Sequence, residues 1–247
     1  MEPKQHSALR DLKVAITGGT SGLGLALVET LAARGAAIAF VARHAARVAE
    51  VARTVAGTHG IAGDVGRKED IHPIALQITG ALGGLDVLVN NASTLGPVPL
   101  ALLADTECED LQAALETNLI GPFRLTKALL GALAAAARAG RPALVVNVVS
   151  DAAVGAYARW GAYGASKAAL AHLSRIWDEE LRAHGVRVIG VDPGDMDTPL
   201  HAAAVPDADR ASLKLPADAA REIVDLIQLR AEEVARAARE HAEPTPA

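Results

Sequence analysis

The segment TGGTSGLG at residues 17–24 decides the fold, because it joins a short apolar strand to a helix. The strand is predicted over 13–17 and the helix over 23–34. Glycine permits a tight turn and lets a ligand approach the backbone, and the positive end of the following helix attracts an anion. A plain strand–helix turn is the alternative. The pattern favours a turn that binds the pyrophosphate of a dinucleotide through Gly18, Thr20, Ser21, Gly22, Leu23 and Gly24.

Short apolar runs alternate with alanine-rich helical patterns beyond this turn. Such alternation predicts parallel strands with right-handed crossovers, in a sheet covered on both faces. Strands are predicted at 13–17, 37–42, 60–62, 85–90, 143–148 and 186–191, and helices near 23–34, 45–56, 67–79, 108–137, 161–184 and 217–241. Residues 192–216 carry four prolines and are predicted to form an irregular functional loop. We expect an α/β fold in one domain over 8–241, with loose termini at 1–7 and 242–247.

Composition excludes several classes of protein. The chain has 247 residues, with 24 Lys and Arg against 29 Asp and Glu, so its formal net charge is −5. This balance argues against nucleic acid as a partner, because nucleic acid calls for a basic face. Hydrophobic residues make up 51%, which is enough for a large core. The single cysteine, Cys108, excludes an internal disulfide, and we predict no metal site.

The sequence also bears on location. The longest apolar run covers 128–137, whereas a membrane helix needs about 18 residues or more. The first ten residues contain no apolar core typical of a secretion signal. We therefore predict no membrane segment and a cytoplasmic protein.

The end of the second strand indicates the type of cofactor. An acidic residue there would bind the ribose 2′-hydroxyl of NAD, but the chain has Ala42 followed by Arg43. A guanidinium binds a 2′-phosphate through charge-assisted hydrogen bonds, so NADP is predicted over NAD. A solvated surface arginine is the alternative. Asp64 and Val65, after the third strand, are predicted to meet the adenine, although a cap before the next helix explains Asp64 almost equally well.

Tyr163 and Lys167 form a YxxxK pair on one face of a predicted helix. A neighbouring ammonium lowers the pKa of a phenol, so Tyr163 is predicted to exchange a proton with a carbonyl or alcohol oxygen. Ser150 follows a predicted strand, where its hydroxyl would bond the reacting oxygen. The alternatives are a buried tyrosine with a surface lysine, and a serine that caps a turn.

Asn118 lies in the long predicted helix, four residues before Pro122. Proline has no N–H, so the carbonyl of Asn118 is left without its helical partner, and Gly121 loosens the same turn. We expect this carbonyl to hold a water beside Lys167 that relays protons to Tyr163. A simple kink with a solvent partner is the alternative.

Together these motifs resemble the short-chain dehydrogenase/reductase superfamily, over roughly residues 10 to 200. The resemblance rests on TGGTSGLG (17–24), NNAS (90–93), Asn118, Ser150, YGASK (163–167) and DPGDMDTP (192–199). It implies a catalytic Ser150, Tyr163 and Lys167 with Asn118 as relay, and Lys167 on the nicotinamide ribose. It further implies Asn91 and Ala92 along the adenosine, and Pro193, Gly194, Met196 and Thr198 at the nicotinamide.

The chain departs from the family pattern in two places. Ser93 stands where the family usually has glycine, so it would narrow the cofactor edge. No seventh strand follows the last predicted helix. The resemblance then implies a Rossmann-type doubly wound sheet of six strands, in the order 3-2-1-4-5-6. It also implies a homodimer rather than a tetramer, formed by the helices that hold Asn118 and Tyr163.

Three aromatic residues cluster at 157–163, and they indicate where the substrate pocket lies. Tyr157 and Trp160 are predicted to wall the substrate pocket or to pack against 192–216, and Leu95, Met196 and Leu200 would add apolar wall. Asp151, Asp195 and Asp197 would make an acidic mouth that disfavours anions, and 199–205 would form a lid. We expect NADPH-dependent reduction of a small or medium carbonyl, or the reverse oxidation of a secondary alcohol. The alternatives are an NAD-dependent alcohol dehydrogenase and a non-catalytic NADP-binding sensor.

Overall fold

Six parallel strands form the centre of the protein. The computed structural model describes residues 9–242, without the side chains of 235–242. Within that part the strand order is β3-β2-β1-β4-β5-β6, as predicted, and no seventh strand follows. The predicted loose termini lie outside the described residues, apart from the helical Ala242. The strands are β1 (Lys13–Thr17), β2 (Ala37–Ala42), β3 (Thr58–Ala62), β4 (Val87–Asn90), β5 (Leu144–Val148) and β6 (Arg187–Val191).

Helices cover both faces of the sheet, and two of them differ from prediction. The expected helix over 108–137 is two helices, α4 and α5, joined by a π-helical turn at Glu116–Ile120. Part of the segment 192–216 is helical as well, because Pro199 occupies the first turn of α7 and Thr198 caps it. The helices are α1 (Gly22–Ala33), α2 (Ala45–Thr54), α3 (Lys68–Leu82), α4 (Cys108–Leu115), α5 (Gly121–Arg138), α6 (Gly161–Leu181), α7 (Pro199–Ala204) and α8 (Pro216–Ala242).

The two faces of the sheet bury separate apolar clusters, because side chains alternate along each strand. On β1, Val14 and Ile16 join the cluster beneath α1 and α8, whereas Ala15 joins the cluster beneath α3 and α5. The strands are buried on both sides, which explains their continuous apolar sequences. This packing leaves the carboxyl ends of the strands open at one edge.

The helical segment Cys108–Arg138 is long and apolar enough to cross a membrane by length and composition, with a mean hydropathy of 1.3. Arg124 and Lys127 interrupt this segment, so it contains no uninterrupted apolar run long enough for a membrane helix. Length and composition are weak evidence for a span, since core helices of globular proteins meet the same criteria. Here Leu125, Leu129 and Leu133 are buried in the core.

Candidate active site

A cavity of about 390 Å³ lies at the carboxyl ends of the strands. Loops that follow all six strands contribute to its wall, as expected where ligands bind to an open parallel sheet. The structure places every predicted cofactor residue on this wall: Gly18, Thr20, Ser21, Gly22, Leu23, Gly24, Arg43, Asp64, Val65, Asn91, Ala92, Tyr163, Lys167, Pro193, Gly194, Met196 and Thr198.

The turn between β1 and α1 is too tight for side chains at two of its glycines. Gly18 has a φ of 73°, which other residues rarely adopt. A Cβ on Gly24 would lie 2.1 Å from the carbonyl oxygen of Gly18. Ser21, at the N-cap of α1, makes no side-chain capping bond. The first N–H groups of this helix therefore stay available to an anion in the cavity.

Thr17 ties the glycine turn to the loop after β4, a role that the sequence analysis missed. Its hydroxyl accepts hydrogen bonds from the backbone N–H groups of Asn91 and Ala92, both at 3.0 Å. The Asn91 amide in turn donates to the carbonyl of Thr17 at 2.8 Å. The sequence signal for this role is a threonine at the end of the first strand, next to the glycine turn. These bonds hold two walls of the cavity in a fixed relation.

The far end of the cavity carries the residues predicted to select the cofactor. Arg43 is exposed at the end of β2, beside Ala42 and His44, and all three line the wall. Asp64 lines it as well, and one of its carboxylate oxygens accepts from the N–H of Gly66 at 2.9 Å. Asp64 therefore stabilises the turn before α3, as the cap interpretation requires. It also faces the cavity, as the predicted contact with the adenine requires.

Tyr163 and Lys167 lie one turn apart on α6, and both are buried. The Lys167 ammonium is 5.5 Å from the centre of the Tyr163 ring. It donates a hydrogen bond of 2.7 Å to the carbonyl oxygen of Val148, at the end of β5. Burial lowers the pKa of Lys167 to about 8. The YxxxK spacing therefore brings the two side chains together, and the sheet holds the lysine.

The direction of the pKa shift at Tyr163 is opposite to the prediction. Burial raises the pKa of the phenol, and the charges of Asp192 and Asp151 raise it further. The neighbouring hydroxyls of Ser150 and Ser93 offset this rise in the Tyr163 pKa in part. Lys167 is not among the causes of this shift, and desolvation of the phenol is the largest of them, so the net direction differs from the expected lowering of the pKa.

Asn118 is fully buried in the π-helical turn and does not line the cavity. Its side-chain oxygen accepts from the N–H of Thr94 at 2.9 Å and from the hydroxyl of Ser93 at 3.1 Å. Its amide donates to Ser166 of α6 at 2.9 Å. The side chain therefore joins the loop after β4 to the helix of Tyr163. The backbone role of Asn118 as a water relay stays a prediction.

The π-helical turn has a physical cause in Gly121 and Pro122. Pro122 supplies no N–H, and the N–H of Gly121 reaches back five residues to the carbonyl of Glu116. A Cβ on Gly121 would lie 2.6 Å from the carbonyl oxygen of Val65, so glycine is required where the helix passes that loop. The predicted loosening of this turn is confirmed, and it takes the form of a π bulge.

Four of the residues predicted to wall the substrate pocket, Leu95, Trp160, Met196 and Leu200, line the cavity, and Tyr157 does not. Leu95, Trp160 and Leu200 line the cavity beside Ser150, and the Trp160 ring lies edge-on to Tyr163 with 5.7 Å between centroids. Trp160 and Leu200 of α7 both pack against the buried cluster formed by Leu95, Ala152 and Tyr163. Tyr157 is half exposed and lies outside the wall, because its hydroxyl donates to Asp151 at 2.8 Å.

The acidic mouth contains Asp192 in place of the predicted Asp197. Asp151 and Asp195 line the cavity, and Asp192 lines it with them. Asp197 does not line it, because Arg210 forms a salt bridge with its carboxylate at 2.8 Å. Three carboxylates therefore line the mouth, those of Asp151, Asp192 and Asp195. In the sequence, Asp192 was noted only as the first residue of the motif DPGDMDTP.

A family model for short-chain dehydrogenases matches residues 13–209, which include both the glycine turn and the YxxxK pair. The chain belongs to this family. Among the residues that the structure describes, no group of His, Cys, Asp or Glu is placed to hold a metal ion.

Curated relatives support the same assignment. An uncharacterised short-chain type dehydrogenase/reductase of Sinorhizobium fredii is 34% identical over 92% of this chain, which spans only 39% of that longer protein. The 3-oxoacyl-(acyl-carrier-protein) reductase FabG of Escherichia coli is 32% identical, over 83% of this chain and 82% of its own.

Solved structures share the fold of this chain. A short-chain dehydrogenase of Shigella flexneri, crystallised with NADP, has a TM-score of 0.80 at 26% identity, over 87% of this chain and 90% of its own. A 3-ketoacyl-(acyl-carrier-protein) reductase of Brucella melitensis, crystallised with NADH, has a TM-score of 0.82 at 23% identity, over 88% and 91%.

The low pKa of Lys167 predicts how the stability of this protein depends on pH. Above pH 8 the folded protein releases a proton that the unfolded chain, with a lysine pKa near 10.5, still binds. The free energy of unfolding should therefore rise with pH by about 2 kcal/mol between pH 8 and 10. Denaturant unfolding of the wild type and of Lys167→Met checks this rise, which the variant should lack.

Lys127→Met is the matched control, because Lys127 is exposed on α5. This variant should retain the rise in stability. A rise of equal size in Lys167→Met would show that another group causes it.

Proposed function

We propose that this member of the short-chain dehydrogenase family is an NADP(H)-dependent oxidoreductase that transfers a hydride between the nicotinamide and a small or medium carbonyl or secondary alcohol. The reductive direction is favoured. The single observation that carries this proposal is the shared cavity, whose wall includes the glycine turn at one end and Ser150, Tyr163 and Lys167 at the other.

The residues of the cavity fit a nicotinamide dinucleotide by their chemistry. The turn before α1 offers backbone N–H groups and no side chain that would fill the space. Asn91, Ala92, Pro193, Gly194, Met196 and Thr198 would border the remainder of the cofactor. When bound, the cofactor supplies or accepts the hydride, and the protein supplies orientation and a proton.

The side chains near Tyr163 would carry the proton chemistry. Tyr163 would donate its phenolic proton to the carbonyl oxygen in reduction and take it back in oxidation. Ser150 would bind the reacting oxygen, and Lys167 would bind the nicotinamide ribose. Trp160, Leu95 and Leu200 would exclude water from the reacting centre.

Arg43 supports NADP over NAD. No carboxylate occupies the end of β2 to accept the 2′-hydroxyl of NAD, and the guanidinium is exposed on the cavity wall.

The three carboxylates at the opposite mouth favour a neutral substrate over an anionic one, by like-charge repulsion. Rapid turnover of a small carboxylate ketone would contradict that preference.

The test compares cofactors and substrates directly. Fluorescence titration gives the affinities for NADPH and NADH, and absorbance then follows oxidation of each with a panel of aldehydes, ketones and quinones. Oxidation of NADPH by a neutral carbonyl supports the proposal. Preference for NADH would favour the NAD-dependent alcohol dehydrogenase, and binding without turnover would favour the sensor.

We propose further that the protein forms a homodimer through α5 and α6. Phe123 and Ile176 are exposed apolar residues on these helices, and Phe123 lies edge-on to Trp177 at 5.5 Å. Phe123→Glu should convert the dimer to a monomer, because a charge at the centre of an apolar interface is costly. Light scattering after size-exclusion chromatography measures the mass.

Leu76→Glu is the matched control for the dimer. Leu76 is 74% exposed on α3 and belongs to neither α5 nor α6, so the charged variant should remain dimeric. A wild-type monomer, or an unchanged mass for Phe123→Glu, would contradict the proposed interface.

Composition supports the remaining proposals on partners and location. The formal net charge of −5 disfavours nucleic acid. The single cysteine, Cys108, is an exposed free thiol, which suits a reducing compartment such as the cytoplasm.

A further inference from the structure

Ser93 ends the motif NNAS (90–93), where the family usually has glycine, and it lines the cavity half-buried. The sequence predicts only that its bulk narrows the cofactor edge. A serine also brings what glycine lacks, namely a hydroxyl with one hydrogen to donate and two lone pairs that accept. The use of this hydroxyl depends on where its hydrogen points.

Ser93 lies between the two ends of the cavity. On one side Ala92 adjoins the glycine turn, since a Cβ on Gly18 would lie 3.0 Å from its Cα. On the other side Leu95 packs with Tyr163 in one buried cluster. A dinucleotide with its pyrophosphate at the glycine turn and its nicotinamide at Tyr163 carries the nicotinamide ribose between those points. Ser93 therefore borders the part of the cavity that this ribose would occupy.

The Asn118 amide decides the direction of the Ser93 hydrogen. The backbone N–H of Thr94 donates to one amide atom of Asn118 at 2.9 Å, so that atom is the oxygen. The carbonyl of Thr94 accepts from the other amide atom at 2.8 Å, so that atom is the nitrogen. The Ser93 hydroxyl lies 3.1 Å from the oxygen and must donate to it, because a carbonyl oxygen only accepts. Lone pairs then remain for a partner in the cavity.

The remaining hydrogen bonds of Asn118 hold this arrangement in place. Asn118 is fully buried, and its amide nitrogen also donates to the Ser166 hydroxyl at 2.9 Å. Ser166 in turn donates to the backbone carbonyl of Tyr163 at 2.7 Å. A flip of the amide would set the N–H of Thr94 against an NH₂ group and leave buried donors unpaired, which is costly. The Ser93 hydrogen therefore stays directed away from the cavity.

We propose that Ser93 binds a hydroxyl of the nicotinamide ribose as a hydrogen-bond acceptor. A ribose hydroxyl both donates and accepts, whereas the ammonium of Lys167, proposed to bind the same ribose, can only donate. Ser93 supplies the acceptor that Lys167 cannot. The inference rests on the proposed function for the presence of the cofactor, and it assigns a contact to a residue that stands in place of the usual glycine.

Ser93→Ala should weaken the binding of NADPH by about fivefold, because the ribose hydroxyl loses its acceptor. The oxygen of Asn118 keeps its bond from Thr94, so the loop should stay in place. The fragment 2′,5′-ADP lacks the nicotinamide ribose and should bind the variant and the wild type equally. Isothermal titration calorimetry measures these affinities without turnover, and circular dichroism checks the fold.

Ser93→Gly separates the hydroxyl from its bulk. This variant widens the cavity and also lacks the acceptor, so it should bind NADPH more weakly than the wild type, as Ser93→Ala does. Tighter binding by Ser93→Gly than by the wild type would show that the side chain acts only by narrowing the cavity. That result would overturn the inference.

Ser166→Ala is the matched control, because Ser166 belongs to the same network, is fully buried and does not line the cavity. Its affinity for NADPH should stay within about twofold of the wild-type value, since no cofactor contact is removed. A loss as large as that of Ser93→Ala would assign the effect to the network and contradict a direct contact.

Deoxy analogues of NADPH identify the hydroxyl that Ser93 accepts. One analogue lacks the 2′-hydroxyl of the nicotinamide ribose and another lacks its 3′-hydroxyl. For one of the two, Ser93→Ala should cause no further loss of affinity, because the bonded hydroxyl is already absent. Equal losses for NADPH and for both analogues would overturn the inference.

The outcomes separate this inference from the proposed function. A protein that binds NADPH through Ser93 but reduces no carbonyl would overturn the proposed activity and leave the inference standing. If NADH binds more tightly than NADPH, the proposed cofactor is wrong, and the same comparison with NADH tests Ser93, since the nicotinamide ribose is identical. Turnover of NADPH together with unchanged affinity in Ser93→Ala would overturn the inference alone.

Discussion

Tyr163→Phe should lower kcat for carbonyl reduction by about three orders of magnitude, because it removes one hydroxyl and the proton it would donate. The ring, its burial and its edge contact with Trp160 remain, so the cavity should keep its shape. NADPH binding should persist, since the glycine turn and Arg43 are untouched. Absorbance of NADPH gives kcat, and fluorescence titration gives the affinity.

The other tyrosine of the chain provides the comparison. Tyr157→Phe removes a phenol hydroxyl that lies outside the cavity wall, so its loss of kcat should be smaller by about two orders of magnitude. If Tyr163→Phe turned over at the wild-type rate, another group would have to supply the proton. The roles proposed for Ser150 and Lys167 would then need reassignment as well.

Arg43→Asp should raise the Michaelis constant for NADPH by about two orders of magnitude and change that for NADH far less. The guanidinium would form two hydrogen bonds with the 2′-phosphate, each worth about 1.5–3 kcal/mol. The new carboxylate would repel that phosphate and accept the 2′-hydroxyl of NAD instead. Initial rates with one carbonyl and varied cofactor measure both constants.

Arg47→Asp is the control for this charge reversal. Arg47 is exposed on α2 and does not line the cavity, so its substitution changes the net charge equally without removing a cofactor contact. The ratio of the two Michaelis constants should stay at its wild-type value. An unchanged ratio in Arg43→Asp would show that Arg43 is a solvated surface residue.

Local patterns predicted the strands and the glycine turn well, and the family resemblance supplied much of the rest of the cavity wall. The five strand residues of β1 and the six of β2 lie where the apolar runs predicted them. Gly18 and Gly24 can be recognised from the sequence as turn positions, because only glycine fits a backbone that tight. Strand ends in a parallel sheet share one edge, so residues that follow different strands converge on one cavity.

Side-chain direction was the part that local patterns predicted poorly. Asp197 and Asp195 look alike in sequence, yet Arg210 neutralises the first, thirteen residues further along the chain, and the second lines the cavity. Tyr157 has the composition of a pocket residue, but Asp151 turns its hydroxyl away. Each outcome depends on which partner a folded loop brings within about 3 Å.

The sequence by itself determined the positions of the strands, the cofactor turn and the proximity of Tyr163 to Lys167, because these follow from apolar runs and short spacings, and the family resemblance added the strand order. Only the tertiary structure decided that Lys167 bonds the carbonyl of Val148 and that Asn118 takes the hydrogen of Ser93. A hydrogen bond needs a partner at the right distance and angle, and burial sets the charge state of both. Those quantities exist only after elements distant in the chain have packed together.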